Sequence, residues 1–546
     1  MTGHLKRHAV LYLSWLVFLL PFLVTRLPFF LHYPVVGFNP DDGGYCQLVD
    51  QMNKGFWPHP AIRPLGYPLF LKLVFFFSDR NFSVVALQHL LTLLSCGLFI
   101  FVFYRLYGGR KFIPLLTAAA LAAYATSGVH LVGDSTLMSD SLFANLVLLS
   151  LAGLVAGIGY RRGPPLCFGS LAMAAAVLVR PAGLFFLAPY LAVLAFLLLN
   201  RLPRRTILSF VLPLPAVLAA LSLYNRLNMG TFALSTFSEH ALISFSSTFL
   251  ETDATLGPAA AEAAERCRRA VGKKLLNNAS RSWDFNEIRA VWNYYYENNR
   301  MIVARAFFER EPAGAYDLYL KWRPVWRRLA GHSIRLHPRL AFKFLYASFM
   351  SHFFGNFYDD IDFYRSLESH FLQSRSPHGY FADFGDPASF FNRRFNTAAY
   401  AGTLSDDFVS FMLKEYDRPT DFRSIRQAAD GSVRLRPTLG LKLHLGYSRA
   451  HRLVFRNGLW ILVWLAAFAC ALYRLCATAG RHGGAFILML LTFSFLAYGL
   501  LVTVSAFPNL RYSYTLEYVV YFCAFGWCLA WLPDPAAAGN GERGVS

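Results

Sequence analysis

The chain has 546 residues, of which 55% are hydrophobic and 16% aromatic, and it carries a formal net charge of +20. Several runs reach the ~20 apolar residues that a membrane-spanning helix needs, which excludes an ordinary soluble domain. The positive charge does not point to nucleic acid, because no zinc finger, RNA-binding signature or basic zipper accompanies it; basic residues of this kind collect on cytoplasmic loops and beside anionic lipid.

The expected fold is an all-α polytopic membrane protein with about ten spans, near 9–31, 84–106, 112–131, 140–160, 166–179, 182–200, 207–224, 453–473, 485–506 and 513–532. The first run is too long for a signal-peptide core and lacks a small-residue cleavage site, so it reads as an uncleaved span. Lys6/Arg7, Arg105/Arg110/Lys111, Arg161/Arg162, Arg201/Arg204/Arg205 and Arg474/Arg481 fall on alternate connections. The positive-inside rule makes those connections cytoplasmic. The segment after the first span, the turn before Asp140, the Arg180-Pro181 turn, region 225–452 and the Arg511 turn then share the extracytoplasmic side.

After the first span comes Asn39-Pro40-Asp41-Asp42-Gly43-Gly44-Tyr45. Asn39 suits an N-cap and Pro40 a first helical position, so Asp41 and Asp42 would open a helix, favoured there by its dipole. Tyr45, Leu48, Val49 and Met52 follow at helical spacing and form a face suited to the membrane surface. On the residues alone two readings stand: the pair caps an interfacial helix, or it divides acid–base work. In the second reading one carboxylate accepts a proton while the other supports it or helps hold a metal ion. Arg63 precedes Pro64, which biases it toward an extended conformation and projects a phosphate-binding guanidinium from a stiff turn.

Four further elements follow: Leu137-Met138-Ser139-Asp140-Ser141-Leu142-Phe143, Leu178-Val179-Arg180-Pro181-Ala182-Gly183, Asn225-Arg226 with Gly230-Thr231-Phe232, and Arg511-Tyr512. Singly, Asp140 could be a helix-start residue, and Arg180 and Arg511 snorkelling arginines. In this order, together with Asp41, Asp42, Tyr45, Arg63 and Pro64, they resemble the GT-C class of membrane glycosyltransferases. The likeness is to the branch of protein O-mannosyltransferases and the lipid A aminoarabinose transferase, and it covers about residues 10–235 and 450–530.

The resemblance implies a GT-C-like bundle with interfacial helices in the first extracytoplasmic loop. It also implies an inverting transfer from a polyprenyl-phosphate-linked sugar to a hydroxyl of a glycan, lipid or protein. Asp41 would be the general base and Asp42 its helper. Arg63, with Arg226 and Arg511, would hold the donor phosphate, and Tyr45, Asp140, Arg180 and Tyr512 would form the carrier or acceptor site. No cofactor is certain; Asp41 and Asp42 are the candidate ligands of a divalent cation, magnesium or manganese. Asp42 stands where the mannosyltransferases commonly have Glu, Gly43-Gly44 follows it, and Asp140 replaces a frequent Glu.

The domain reading is a transmembrane catalytic module over 1–235, an extracytoplasmic mainly helical domain over 236–450, C-terminal spans over 451–532 and a disordered cytoplasmic tail over 533–546. Within the second, 258–276 and 284–308 read as helices, and the broken apolar run 338–357 as an interfacial helix. Trp, Tyr and Arg interleaved over 292–328 read as domain core more readily than as a carbohydrate surface. Asp359-Asp360-Ile361-Asp362 reads as a solvated loop, and His332, His337 and His352 have no metal-ligand spacing. Cys46 and Cys267 could pair in an oxidising compartment. The rival functions are a lipid-linked sugar flippase and a non-catalytic subunit of an envelope-assembly complex.

Overall fold

The computed structural model describes residues 2–32, 42–55, 64–78, 81–134, 137–230, 232–234, 237–252, 254–270, 307, 315–350, 459–505 and 517–532. Among these residues all regular structure is helical. From the N-terminus come α1 (Thr2–His32), α2 (Asp42–Asn53), α3 (Gly66–Phe77), α4 (Asn81–Tyr107), α5 (Phe112–Ala125) and α6 (Gly128–Asp134). The chain continues with α7 (Ser139–Tyr160), α8 (Gly163–Val179), a 3-10 turn (Pro181–Phe186), α9 (Leu187–Leu199), α10 (Arg204–Val211) and α11 (Pro213–Met229). Then come α12 (Phe237–Ser246), α13 (Pro258–Ala270), α14 (Ala315–Leu336), α15 (Pro338–Met350), α16 (Leu459–Ala477), α17 (Gly483–Ser505), α18 (Glu517–Gly526) and α19 (Cys528–Trp531).

Seven of the described helical stretches are long and apolar enough to cross a membrane, which makes the chain an integral membrane protein. They are His8–Leu27, Phe82–Tyr107, Ser139–Tyr160, Pro181–Leu199, Arg204–Asn228, Trp460–Ala477 and Gly483–Leu501. Two more expected spans, α5 and α8, are apolar helices of 14 and 17 residues, below that length. The expected last span is divided between α18 and α19. The apolar α3 lies between expected spans and has only 12 residues.

The core sits around α7, whose apolar window is 89% buried. It packs against α4 and α8. A Cβ at Gly153 would come within 2.7 Å of the Gly169 backbone nitrogen, so small residues let α7 and α8 approach backbone to backbone. This is how membrane helices associate when lipid removes the hydrophobic drive between them. The outer helices carry exposed Leu and Phe, such as Leu16 and Leu20 on α1, as a lipid-facing surface requires.

A second, smaller core joins α12, α13 and α14 through Ile243, Cys267, Trp322, Trp326 and Leu329. Trp322 and Trp326 are thus core residues rather than a stacking surface. Glu239 of α12 meets Arg323 of α14 at 2.9 Å. Cys267 is a free thiol buried in this core, and the side chain of Cys46, its expected partner, lies outside the described residues. Helix α13 is described to Ala270 and α15 to Met350; the rest of the expected 258–276 and 338–357 helices, and all of the expected 284–308 helix apart from Phe307, lie outside the described residues.

Candidate functional site

Asp41, Arg63, Arg511 and Tyr512 lie outside the described residues, as does the Asp42 side chain; the backbone of Asp42 is the first residue of α2. The helix therefore starts within two residues of the place the Asn39-Pro40 pair marks. Its expected face is buried throughout, with Tyr45, Leu48, Val49 and Met52 all at 9% exposure or less. That face lies against protein rather than along the membrane surface: α2 packs on α3, and Tyr45 and Val49 belong to the main core. Lys72 of α3 donates to the carbonyl of Met52 at 3.0 Å, placing a cation at the negative end of α2.

Tyr45 reaches across to the start of α7. Its hydroxyl is 2.7 Å from Ser139 Oγ, and both groups are buried. The next residue, Asp140, is 2% exposed in the first turn of α7, where the helix dipole favours a carboxylate. Its Oδ1 accepts a hydrogen bond from Nη1 of Arg180, and its Oδ2 has no hydrogen-bond partner among the described residues. Arg180 ends α8 in an extended conformation, as the following Pro181 requires, and its guanidinium lies 5.9 Å from the centre of the Phe143 ring. Tyr45, Ser139, Asp140 and Arg180 thus gather residues from three parts of the chain at one end of the bundle.

The turn that follows Arg63 lies beside this group. A Cβ at Gly66 would meet the carbonyl carbon of Leu178 at 2.6 Å, so the start of α3 abuts the end of α8 two residues before Arg180. Tyr67 of α3 packs edge-on against Tyr45, with ring centres 4.9 Å apart. Arg226 is placed differently: it is exposed, and its Nη1 donates to the carbonyl of Gly230, which closes α11 in the left-handed conformation. Asn225 donates to Ala233 at 2.6 Å. The Asn225-Arg226…Gly230 element therefore builds a helix end.

Beneath the Tyr45–Asp140 layer lies a group of ionisable residues that the sequence reading passed over. Arg26 of α1 and Asp134 of α6 form an ion pair at 2.6 Å, with side chains 2% and 0% exposed. His130 and His89 flank the same carboxylate at 3.1 and 3.8 Å. Arg26 also contacts His89 Nδ1 and donates to the Ala125 carbonyl at 2.8 Å, the last residue of α5. The available signal was one arginine inside the first apolar run and one aspartate ahead of the α7 motif. Ionisable side chains among apolar helices are kept only where they pair.

Among the described residues no group of three or more His, Cys, Asp or Glu side chains is arranged to hold a metal ion. No family model matches this chain, and neither a curated protein nor a solved structure does.

Proposed function

We propose that this protein is a polyprenyl-phosphate-sugar-dependent, inverting glycosyltransferase acting at the extracytoplasmic ends of its helices. One observation carries the reading. Tyr45, Asp140 and Arg180, which the resemblance assigns to one carrier or acceptor site, meet through the Tyr45–Ser139 hydrogen bond and the Asp140–Arg180 ion pair. The Pro64–Gly66 turn after Arg63 reaches the same place through Gly66.

In this reading the acceptor hydroxyl gives its proton to Asp41 while its oxygen forms a bond to the anomeric carbon. The bond from that carbon to the donor phosphate breaks on the opposite face, and the electron pair leaves on polyprenyl phosphate. Arg63 would neutralise the charge that grows on that leaving group, as preorganised cations do at a developing anion. Asp140, held by Arg180, offers its second oxygen to a hydroxyl of acceptor or sugar. The lipid tail would lie along the exposed apolar faces of the outer helices. Arg511 and Tyr512 belong to the same proposed site, whereas Arg226, engaged at the end of α11, is its weakest member. Asp42 assists Asp41, and no step of this scheme needs a metal.

The flippase reading draws on one observation, the buried Arg26–Asp134 pair, since transporters keep paired charges among their helices. That pair lies toward the helix ends beneath the Tyr45–Asp140 layer, which suits support of a site better than a path through the bilayer. The deciding experiment incubates purified protein with radiolabelled polyprenyl-phosphate sugars and envelope acceptors, wild type beside Asp41→Asn. Transfer by the wild type and its loss in the variant support the enzyme. Unchanged transfer by the variant removes Asp41 as base, and movement across sealed vesicles with no covalent product favours the flippase.

A further inference from the structure

The buried group around Asp134 is more heavily bonded than an ion pair alone requires. Asp134 Oδ2 takes the Arg26 guanidinium and a hydrogen bond from Thr92 of α4 at 2.9 Å. Oδ1 takes the hydroxyl of Ser141, two residues after Ser139 on α7. The backbone carbonyl of Asp134 accepts from Gln88 at 2.9 Å, and Gln88 in turn accepts from the Tyr67 hydroxyl at 3.0 Å. Tyr67 is the ring on which Tyr45 packs. One carboxylate and its own carbonyl therefore reach both sides of the Tyr45–Ser139 contact: one arm ends on α7, the other on the aromatic platform under α2.

The placement along the helices is consistent. Arg26 is six residues before the end of α1, about 9 Å along its axis, and Asn145 is six residues into α7, a similar depth. Asn145 donates to Thr92 Oγ1 at 3.0 Å and accepts from Ser95 at 2.7 Å, so the α4–α7 seam is held by polar contacts just below the layer that carries Asp140. In an apolar surrounding, a polar group that loses its partner is costly, so such a network has few alternative arrangements. Lipid-facing packing alone would let α6 and the start of α7 slide; directional bonds to a fixed carboxylate do not.

We infer that Asp134 is a positioning residue whose buried network fixes the first turn of α7 against α2 and α3, so that Tyr45 and Asp140 keep one relation to each other. For the reaction this rests on the glycosyltransferase reading; for the structure it does not. Asp134 touches neither donor nor acceptor. It acts through Ser141 on one side and through Gln88 and Tyr67 on the other.

The test uses the full-length protein in lipid nanodiscs and compares wild type, Asp134→Asn, Ser141→Ala and Ser141→Thr. Hydrogen–deuterium exchange is read over 42–53 and 139–145, with α17 as the internal reference. Loss of the Ser141 bond is expected to raise exchange in both segments about tenfold, with α17 unchanged and the threonine variant closer to wild type. If Asp134→Asn does not fold, Ser141→Ala, which keeps the ion pair, decides alone. Unchanged exchange in 42–53 for Ser141→Ala overturns the inference, as does a rise spread evenly over α17. In the transfer assay, kcat of Ser141→Ala is expected to fall about tenfold while KM for the donor stays within about twofold, with recovery in Ser141→Thr. Wild-type kcat in Ser141→Ala overturns the inference. A wild type without transfer refutes the glycosyltransferase reading and leaves the exchange data to decide the network.

Discussion

Arg26 and Asp134 offer the sharpest energetic test, because the two side chains are 2% and 0% exposed and 2.6 Å apart. Replacing one partner leaves the other charge buried without its counter-charge, which costs about 3–5 kcal/mol. Arg26→Met also strands the Ala125 carbonyl at the end of α5 and removes the guanidinium from over the Phe22 ring, 4.5 Å from its centre. It belongs near the upper end, at about 4 kcal/mol, although methionine keeps much of the apolar stem. Asp134→Asn keeps the shape and one acceptor oxygen, so about 3 kcal/mol is expected. The double variant removes both charges and should lose at least about 2 kcal/mol less than the sum of the singles. The assay is equilibrium unfolding in mixed micelles with increasing denaturing detergent, followed by tryptophan fluorescence, with all four proteins forming one double-mutant cycle. Additivity within about 0.5 kcal/mol would refute the reasoning, since the pair would then not interact across α1 and α6.

Further expectations follow from the packing and the site. Gly153→Val should destabilise by about 1–3 kcal/mol in the same micelle assay, because its side chain would press into the Gly169 backbone; the reverse size order, with a neutral Gly153→Val and a costly Leu16→Ala at the exposed surface, would contradict the α7–α8 contact. Tyr45→Phe keeps the edge-on contact with Tyr67 and removes the bond to Ser139, so a stability loss of about 1 kcal/mol is expected, against near none if the hydroxyl is not engaged. Burial pushes the Cys267 thiol up to about 12, so in folded protein at pH 8 it should resist maleimide while the exposed Cys476 reacts. The sign follows: with the folded value raised, this thiol's contribution is complete below the ordinary thiol range and is lost as pH climbs toward 12, so chemical unfolding should become easier across that interval, and less so in Cys267→Ala.

The local elements were the legible part. Asn39-Pro40 marks the start of α2, and the spacing of Tyr45, Leu48, Val49 and Met52 identifies its buried face, because both signals lie within a few turns of chain. What covers that face is not local. The spacing is equally compatible with a membrane surface, and only the meeting with α3 and α7 decides it. Asp140 and Arg180 were picked out as motif residues, but their pairing spans 40 positions and depends on how α7 and α8 fold back. Arg26 and Asp134 are separated by 108 positions. Each alone passes for a span-end charge or a loop residue, so neither announces its partner. Gly66–Phe77 is not legible as a helix because a mostly apolar stretch of 12 residues is too short for the span length that a hydropathy reading seeks. For Arg226 the motif is legible, and what it does not reveal is that the guanidinium donates to the Gly230 carbonyl at its own helix end.

Product release is the most direct test of the proposed covalent transfer from a lipid phosphate. Purified wild-type protein in nanodiscs is given a polyprenyl-phosphate sugar and an acceptor fraction, and the lipid products are followed by mass spectrometry. Free polyprenyl monophosphate should appear in step with glycosylated acceptor, and the new glycosidic bond should have the anomeric configuration opposite to the donor's. Intact donor recovered in full from every acceptor mixture, or a product of retained configuration, would contradict it.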